Sequence, residues 1–143
     1  SGWILRECLQ AEVARRGLKK KGYTFKGWNT KKDGSGNVYA NKADGSKLTK
    51  TNGATVTLYA QWTANKYTVT FNGNGSTSGS MKKLSNCKYG KKYTLTKNGF
   101  KKKGYTFTGW NTKKDGSGKT YKNKAEVKNL SSKADGKVTL YAQ

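Results

Sequence analysis

Residues 19–61 and 101–143 are two copies of one pattern, offset by 82 positions with no gap. The first runs KKKGYTFKGWNTKKDGSGNVYANKA and closes on VTLYAQ. The second runs KKKGYTFTGWNTKKDGSGKTYKNKA and closes on the same six residues. Of the 43 aligned positions, 28 are identical. Repetition on this scale predicts a series of small units rather than one domain built around a deep site. The copies diverge upstream of Gly17 and Gly99. Residues 63–98 have no counterpart before the first copy, so 63–143 reads as a complete unit and 19–62 as the back half of one. Residues 1–18 stand apart as a lead-in.

Small units need large side chains. Only 32% of the chain is hydrophobic, but it holds 4 Trp, 9 Tyr and 4 Phe, and rings supply much buried area per residue. The core is therefore expected to be aromatic. Within GYTFxGW, strict alternation would put Tyr23 and Phe25 on one face and Trp28 on the other. Gly27 lies between them, and a glycine inside a strand marks a bulge. One extra residue there returns Trp28 to the face of Phe25, and Gly109 does the same for Phe107 and Trp110. The competing expectation is an exposed Trp that binds a ligand.

Elsewhere the period is two. Tyr67, Val69 and Phe71 alternate with Thr68 and Thr70, Tyr93 and Leu95 with Thr94 and Thr96, and Val56, Leu58, Ala60 and Trp62 with Thr57, Tyr59 and Gln61. This is the pattern of half-buried strands. Asp33–Gly36, Asn52-Gly53, Asp115–Gly118 and Asp135-Gly136 read as turns, and residues 72–80 as a flexible Gly/Ser/Thr loop. Residues 3–16 alone read as a helix. Ile4, Leu5, Cys8, Leu9 and Val13 form one apolar stripe, and Gly17 supplies a stop. The expected class is mainly β (α+β): tandem small units with an N-terminal amphipathic helix. The half unit carries unpaired strand edges, to be covered by the helix, by a neighbouring unit or by another chain. Self-association through the helix or those edges is the corresponding expectation.

The chain has 30 basic and 7 acidic residues, a formal charge of +23. All three Arg (Arg6, Arg15, Arg16) precede all the lysines. Such an excess draws polyanions of any kind. The candidate contacts are the lysine runs of the two copies: Lys19, Lys20, Lys21, Lys31 and Lys32, then Lys101, Lys102, Lys103, Lys113 and Lys114. An extended strand between Lys21 and Lys31 would hold those runs roughly 30 Å apart, leaving charge around the module rather than in one groove. Sequence-specific DNA readers favour arginine forks and a groove-fitting element, which this Lys-rich composition lacks. Nucleic acid thus enters as a partner through charge alone, and a solvated lysine coat that keeps an aromatic module soluble stands beside both readings.

Catalysis has little to work with. There is no His, which removes the usual general base and the commonest metal ligand. The acidic residues are scattered, and Asp33 and Asp115 sit where turns favour Asp. No catalytic, metal or cofactor residue is nominated, and no enzyme is expected. Cys8 and Cys87 are too few for a disulfide scaffold. They read as free thiols, with a mutual disulfide as the other arrangement. No apolar run is long enough to span a bilayer.

GYTFTGWNTKKDGSGKTY (104–121), VTLYAQ (138–143) and WTANKYTVTFNGNGS (62–76) together resemble the Listeria–Bacteroides repeat, a module of bacterial surface proteins related to the internalin B-repeat. The resemblance covers 63–143 throughout and 19–62 in part. It implies β-grasp-like (ubiquitin-like) units in exported, wall-attached proteins, serving as stalks, spacers or weak adhesins. Anionic cell-wall polymers or host glycans would be the partners. By position, Tyr105, Phe107, Trp110, Leu140 and Tyr141 match its recurrent aromatic and aliphatic positions, read as core. The contending class is a nonspecific nucleic-acid-binding protein, with a phage gene as one source for it.

Overall fold

The structure, a computed structural model, describes residues 2–4, 18–40 and 55–143. It divides into two compact units, Ser1–Thr63 and Ala64–Gln143. The described residues form strands and turns without a helix.

In the first unit, β1 (Gly2–Ile4) precedes β2 (Tyr23–Asn29), β3 (Val38–Tyr39), β4 (Thr55–Thr57) and β5 (Tyr59–Ala64). β3, β2 and β5 make one sheet, and β1 pairs antiparallel with β4, Trp3 opposite Val56. The expected helix over 3–16 is therefore corrected at its start: Trp3 and Ile4 are strand. An aromatic and a β-branched residue suit a pleated ladder, and the ladder supplies partners for the backbone of Thr55–Thr57. The remainder of that expected helix and the Asn52-Gly53 turn lie outside the described residues. Of the unpaired edges expected in the half unit, the one at Thr55–Thr57 is covered by this strand. Trp28 and Leu58 are fully buried, with Leu18, Phe25, Tyr39 and Ala60 packed on them.

The second unit contains β6 (Lys66–Asn72), β7 (Leu84–Lys88), β8 (Lys92–Thr94), β9 (Trp110–Asn111), β10 (Thr120–Tyr121), β11 (Glu126–Lys128) and β12 (Gly136–Ala142). Its main sheet runs β10-β9-β12-β6-β7, and β8 pairs with β11 in a separate ribbon. β6 and β12, the first and last strands, are parallel neighbours with Val69 opposite Val138. The expected β-grasp-like unit is not confirmed: the sheet sets its first and last strands side by side at its centre, as such a unit would. Between β7 and β9, where such a unit would lay a helix over the sheet, the described chain has β8 instead.

Alternation in β6 works as the sequence predicts. Tyr67, Val69 and Phe71 are buried and the residues between them are not. They share a core with Cys87, Leu95, Trp110, Val127 and Leu140. Cys87 carries a free, buried thiol, and burial raises its pKa; Cys8 lies outside the described residues. The loop expected to be flexible, residues 72–80, is fastened instead. Asn74 Nδ2 donates to the carbonyls of Ala142 (2.8 Å) and Lys114 (3.0 Å), and Ser78 bridges to Lys101. Its glycines and Asn74, at φ 50°, allow tight bends, and its polar side chains then tie the bends down.

Candidate functional site

The two GYTFxGWN segments build the same corner. Gly109 has φ 147° and Gly27 φ 153°. Gln143 accepts from the N–H of Thr108 at 2.7 Å and donates to the carbonyl of Gly109 at 2.8 Å. Two residues thus oppose one, and the expected bulge is present. It turns Phe107 and Trp110 to one face, where their rings meet edge to face at 5.0 Å. Phe25 and Trp28 meet likewise at 5.2 Å. Both tryptophans are fully buried, so the ligand-binding reading of an exposed Trp does not hold. Among the residues read as core, Leu140 is also buried, and Phe107 and Tyr141 are half-buried. Tyr105 is corrected. It is 71% exposed, because it lies beyond the bulge and outside any strand, with Lys102 Nζ stacked 4.3 Å above its ring. Lys20 stacks on Tyr23 at 4.4 Å in the first copy, a cation–π contact that the rings' polarity favours.

Each corner leads into a turn organised by a buried asparagine, which the sequence reading did not single out. Asn111 Oδ1 accepts from the N–H groups of Lys113 (2.9 Å) and Gly118 (2.9 Å). Its Nδ2 donates to the carbonyls of Gly116 and Gly118 and to Thr120 Oγ1. Asn29 repeats these backbone contacts with Lys31, Gly34 and Gly36. The signal was available: an Asn directly after a core Trp and before Asp-Gly-Ser-Gly in both copies. Asp115 accepts from Ser117 Oγ and N–H. The Ser117 hydroxyl, and then its amide, hold the Asp115 carboxyl below its usual pKa, and Ser35 does the same for Asp33. Such turns explain the acidic residues through backbone capping. Among the described residues no three His, Cys, Asp or Glu gather as a metal site.

All ten candidate lysines, Lys19–Lys21, Lys31, Lys32, Lys101–Lys103, Lys113 and Lys114, are exposed. In the second unit Lys101–Lys103 line a groove of about 690 Å³ with Phe100, Tyr105 and Phe107. One short loop reaches both lysine runs of this copy. Thr77 Oγ1 accepts from the Lys103 N–H at 3.1 Å, and three residues earlier Asn74 donates to the Lys114 carbonyl. The groove gathers Lys101–Lys103 with Tyr105 and Asn74, which the sequence reading did not nominate; Lys113 and Lys114 are not part of its lining.

The geometry defines a class first: a small aromatic-cored β module whose lysine-bearing turns face solvent. The chain belongs to the Listeria-Bacteroides repeat domain family, whose model matches residues 11–61 and 67–143. The match begins at residue 11, so it takes in part of the lead-in that comparison of the two copies sets apart from the repeat. Two relatives come from Evansella cellulosilytica. One, named "Putative Gly-rich membrane protein", is 40% identical over 92% of this chain. The other, named "Putative membrane protein", is 37% identical over 62%. The chain spans only 15% and 13% of their respective lengths. No solved structure matches it closely. No helix among the described residues is long and apolar enough to cross a membrane.

Proposed function

We propose that this chain is a non-catalytic repeat segment of a larger bacterial surface protein, in which it acts as a stalk or weak adhesive module at the cell exterior. Its lysine turns would contact anionic wall polymers or host glycans. The observation that carries the reading is the division of labour within each repeat. Aromatic side chains fill the interior, and the paired lysine runs at 19–21 and 31–32, and again at 101–103 and 113–114, are all exposed. The names of the two relatives, both membrane proteins, support a surface setting. Repeated exposed cations suit multivalent contact with a repeating polyanion, in which weak sites add through effective concentration.

The test is retention on immobilised teichoic acid, heparin and DNA, each eluted with a salt gradient. Contact through lysine alone predicts release from all three at modest salt, with steep salt dependence. Replacing Lys101, Lys102 and Lys103 together by Gln shifts elution to lower salt on each matrix. Retention on DNA to much higher salt than on the other two would favour the nucleic-acid reading and remove this one.

A further inference from the structure

β6 opens the second unit and β12 closes it, and the two lie side by side in parallel. Six residue pairs hold them in register, from Gly136 opposite Tyr67 to Tyr141 opposite Asn72. In a parallel pair the strands start at the same end, so the beginning of β6 and the end of β12 fall at opposite ends of the ladder. Both strands are internal to the sheet, with β9 flanking β12 and β7 flanking β6. Their ladder is therefore not an open edge where water competes for the backbone groups. On the core face Val69 stands opposite Val138 and Phe71 opposite Leu140. A slide of one residue would turn these side chains to the wrong face, so packing locks the register along with the hydrogen bonds.

Both ends of the pair are fastened. Where the chain enters β6, Asn65 Nδ2 donates to the Ser132 carbonyl at 2.8 Å, and the Asn65 carbonyl accepts from the Tyr89 N–H at 2.9 Å. Where β12 ends, the Ala142 carbonyl accepts from Asn74 Nδ2 at 2.8 Å, and Tyr141 and Ala142 pair with β9. In the first copy the same closing sequence, VTLYAQ at 56–61, runs on through β5 into β6 with Asn65 alone between the strands. The closing and opening strands are thus the points where the chain leaves one repeat and enters the next.

We infer that the second unit is a load-bearing link, built to transmit tension along the chain without opening. Pulled through the start of β6 and the end of β12, the two strands part only by sliding past each other. The six pairs then carry the load together. Were these strands antiparallel, the same two points would sit at one end of the ladder, and the pairs would open one at a time. The inference uses no lysine head group, so it stands whether or not the chain contacts a polyanion.

The test pulls the full chain in an optical trap along two directions. One form carries its handles at Lys66 and Gln143, which loads the ladder in shear. The other carries them at Lys66 and Lys133, which sets both handles at one end and peels β6 from β12. Lys66 and Lys133 are exposed, so handles there leave the core untouched. At equal force the shear form is expected to survive at least about tenfold longer, because forced opening follows the unfolding rate and not the folding free energy. Equal lifetimes in the two directions would overturn the proposal, as would a longer lifetime in the peeling direction. Loss of retention on the anionic matrices would remove the polyanion reading and leave this comparison unchanged.

Discussion

A methyl group built on Gly109 would sit 2.8 Å from the carbonyl oxygen of Tyr121. In the first copy Gly27 stands in the same relation to Tyr39, at 3.0 Å. Both distances fall below ordinary van der Waals contact, and both glycines hold a positive φ that other residues avoid. The bulge that turns each Trp inward is thus available only to glycine.

Gly109→Ala is expected to destabilise the second unit by about 1–3 kcal/mol, the usual cost of a side chain held in such a conformation. Chemical denaturation measures it, and Gly104→Ala serves as the comparison. Gly104 also has a positive φ (82°), but its added methyl meets nothing within 4 Å. The Gly109 variant should therefore lose more stability than the Gly104 variant.

Asn111→Ala removes both ends of a capping network from a fully buried position. Leaving buried amides and carbonyls unpaired costs about 1–3 kcal/mol per group. The expected result is a loss of at least that size, with faster amide exchange at Lys113 and Gly118. Asn74→Ala removes two donated bonds from an accessible loop and should cost less.

The turn carboxylates carry a pH dependence whose sign follows from the hydrogen bonds. Ser117 lowers the pKa of Asp115 in the folded protein, so folding favours the ionised form. The resulting stabilisation is present above the unfolded-state pKa, about 4, and is lost as pH falls through the lower folded value. An NMR titration should therefore find the Asp115 midpoint moved upward in Ser117→Ala. An unchanged midpoint would show that the hydroxyl bond does not set it.

Much of this architecture is legible in the sequence for identifiable reasons. Tyr67, Val69 and Phe71 announce their strand because one face is buried and the period is two. Gly27 and Gly109 betray the bulge because the aromatic spacing is off by one. The features that stay hidden depend on partners distant in sequence. The lead-in at Trp3 and Ile4 carries a helical stripe, but the edge of Thr55–Thr57 offers a ladder, and tertiary pairing overrides the local pattern. Tyr105 belongs to the same alternating series as Phe107, so spacing alone places it in the core. In the structure it stands outside any described strand, with Lys102 over its ring. Loop 72–80 looks flexible by composition, since no local rule foretells that Asn74 will reach Lys114 and Ala142, 40 and 68 residues away.

Each unit depends on one tryptophan sealed inside a miniature β core. Native-state hydrogen exchange of the indole N–H groups, resolved by NMR on the intact chain, examines this directly. Trp28 and Trp110 should exchange only as slowly as their units unfold, and denaturant should accelerate both in step with global opening. Exchange of either indole at the rate of a solvated tryptophan, in a protein otherwise folded, would contradict it.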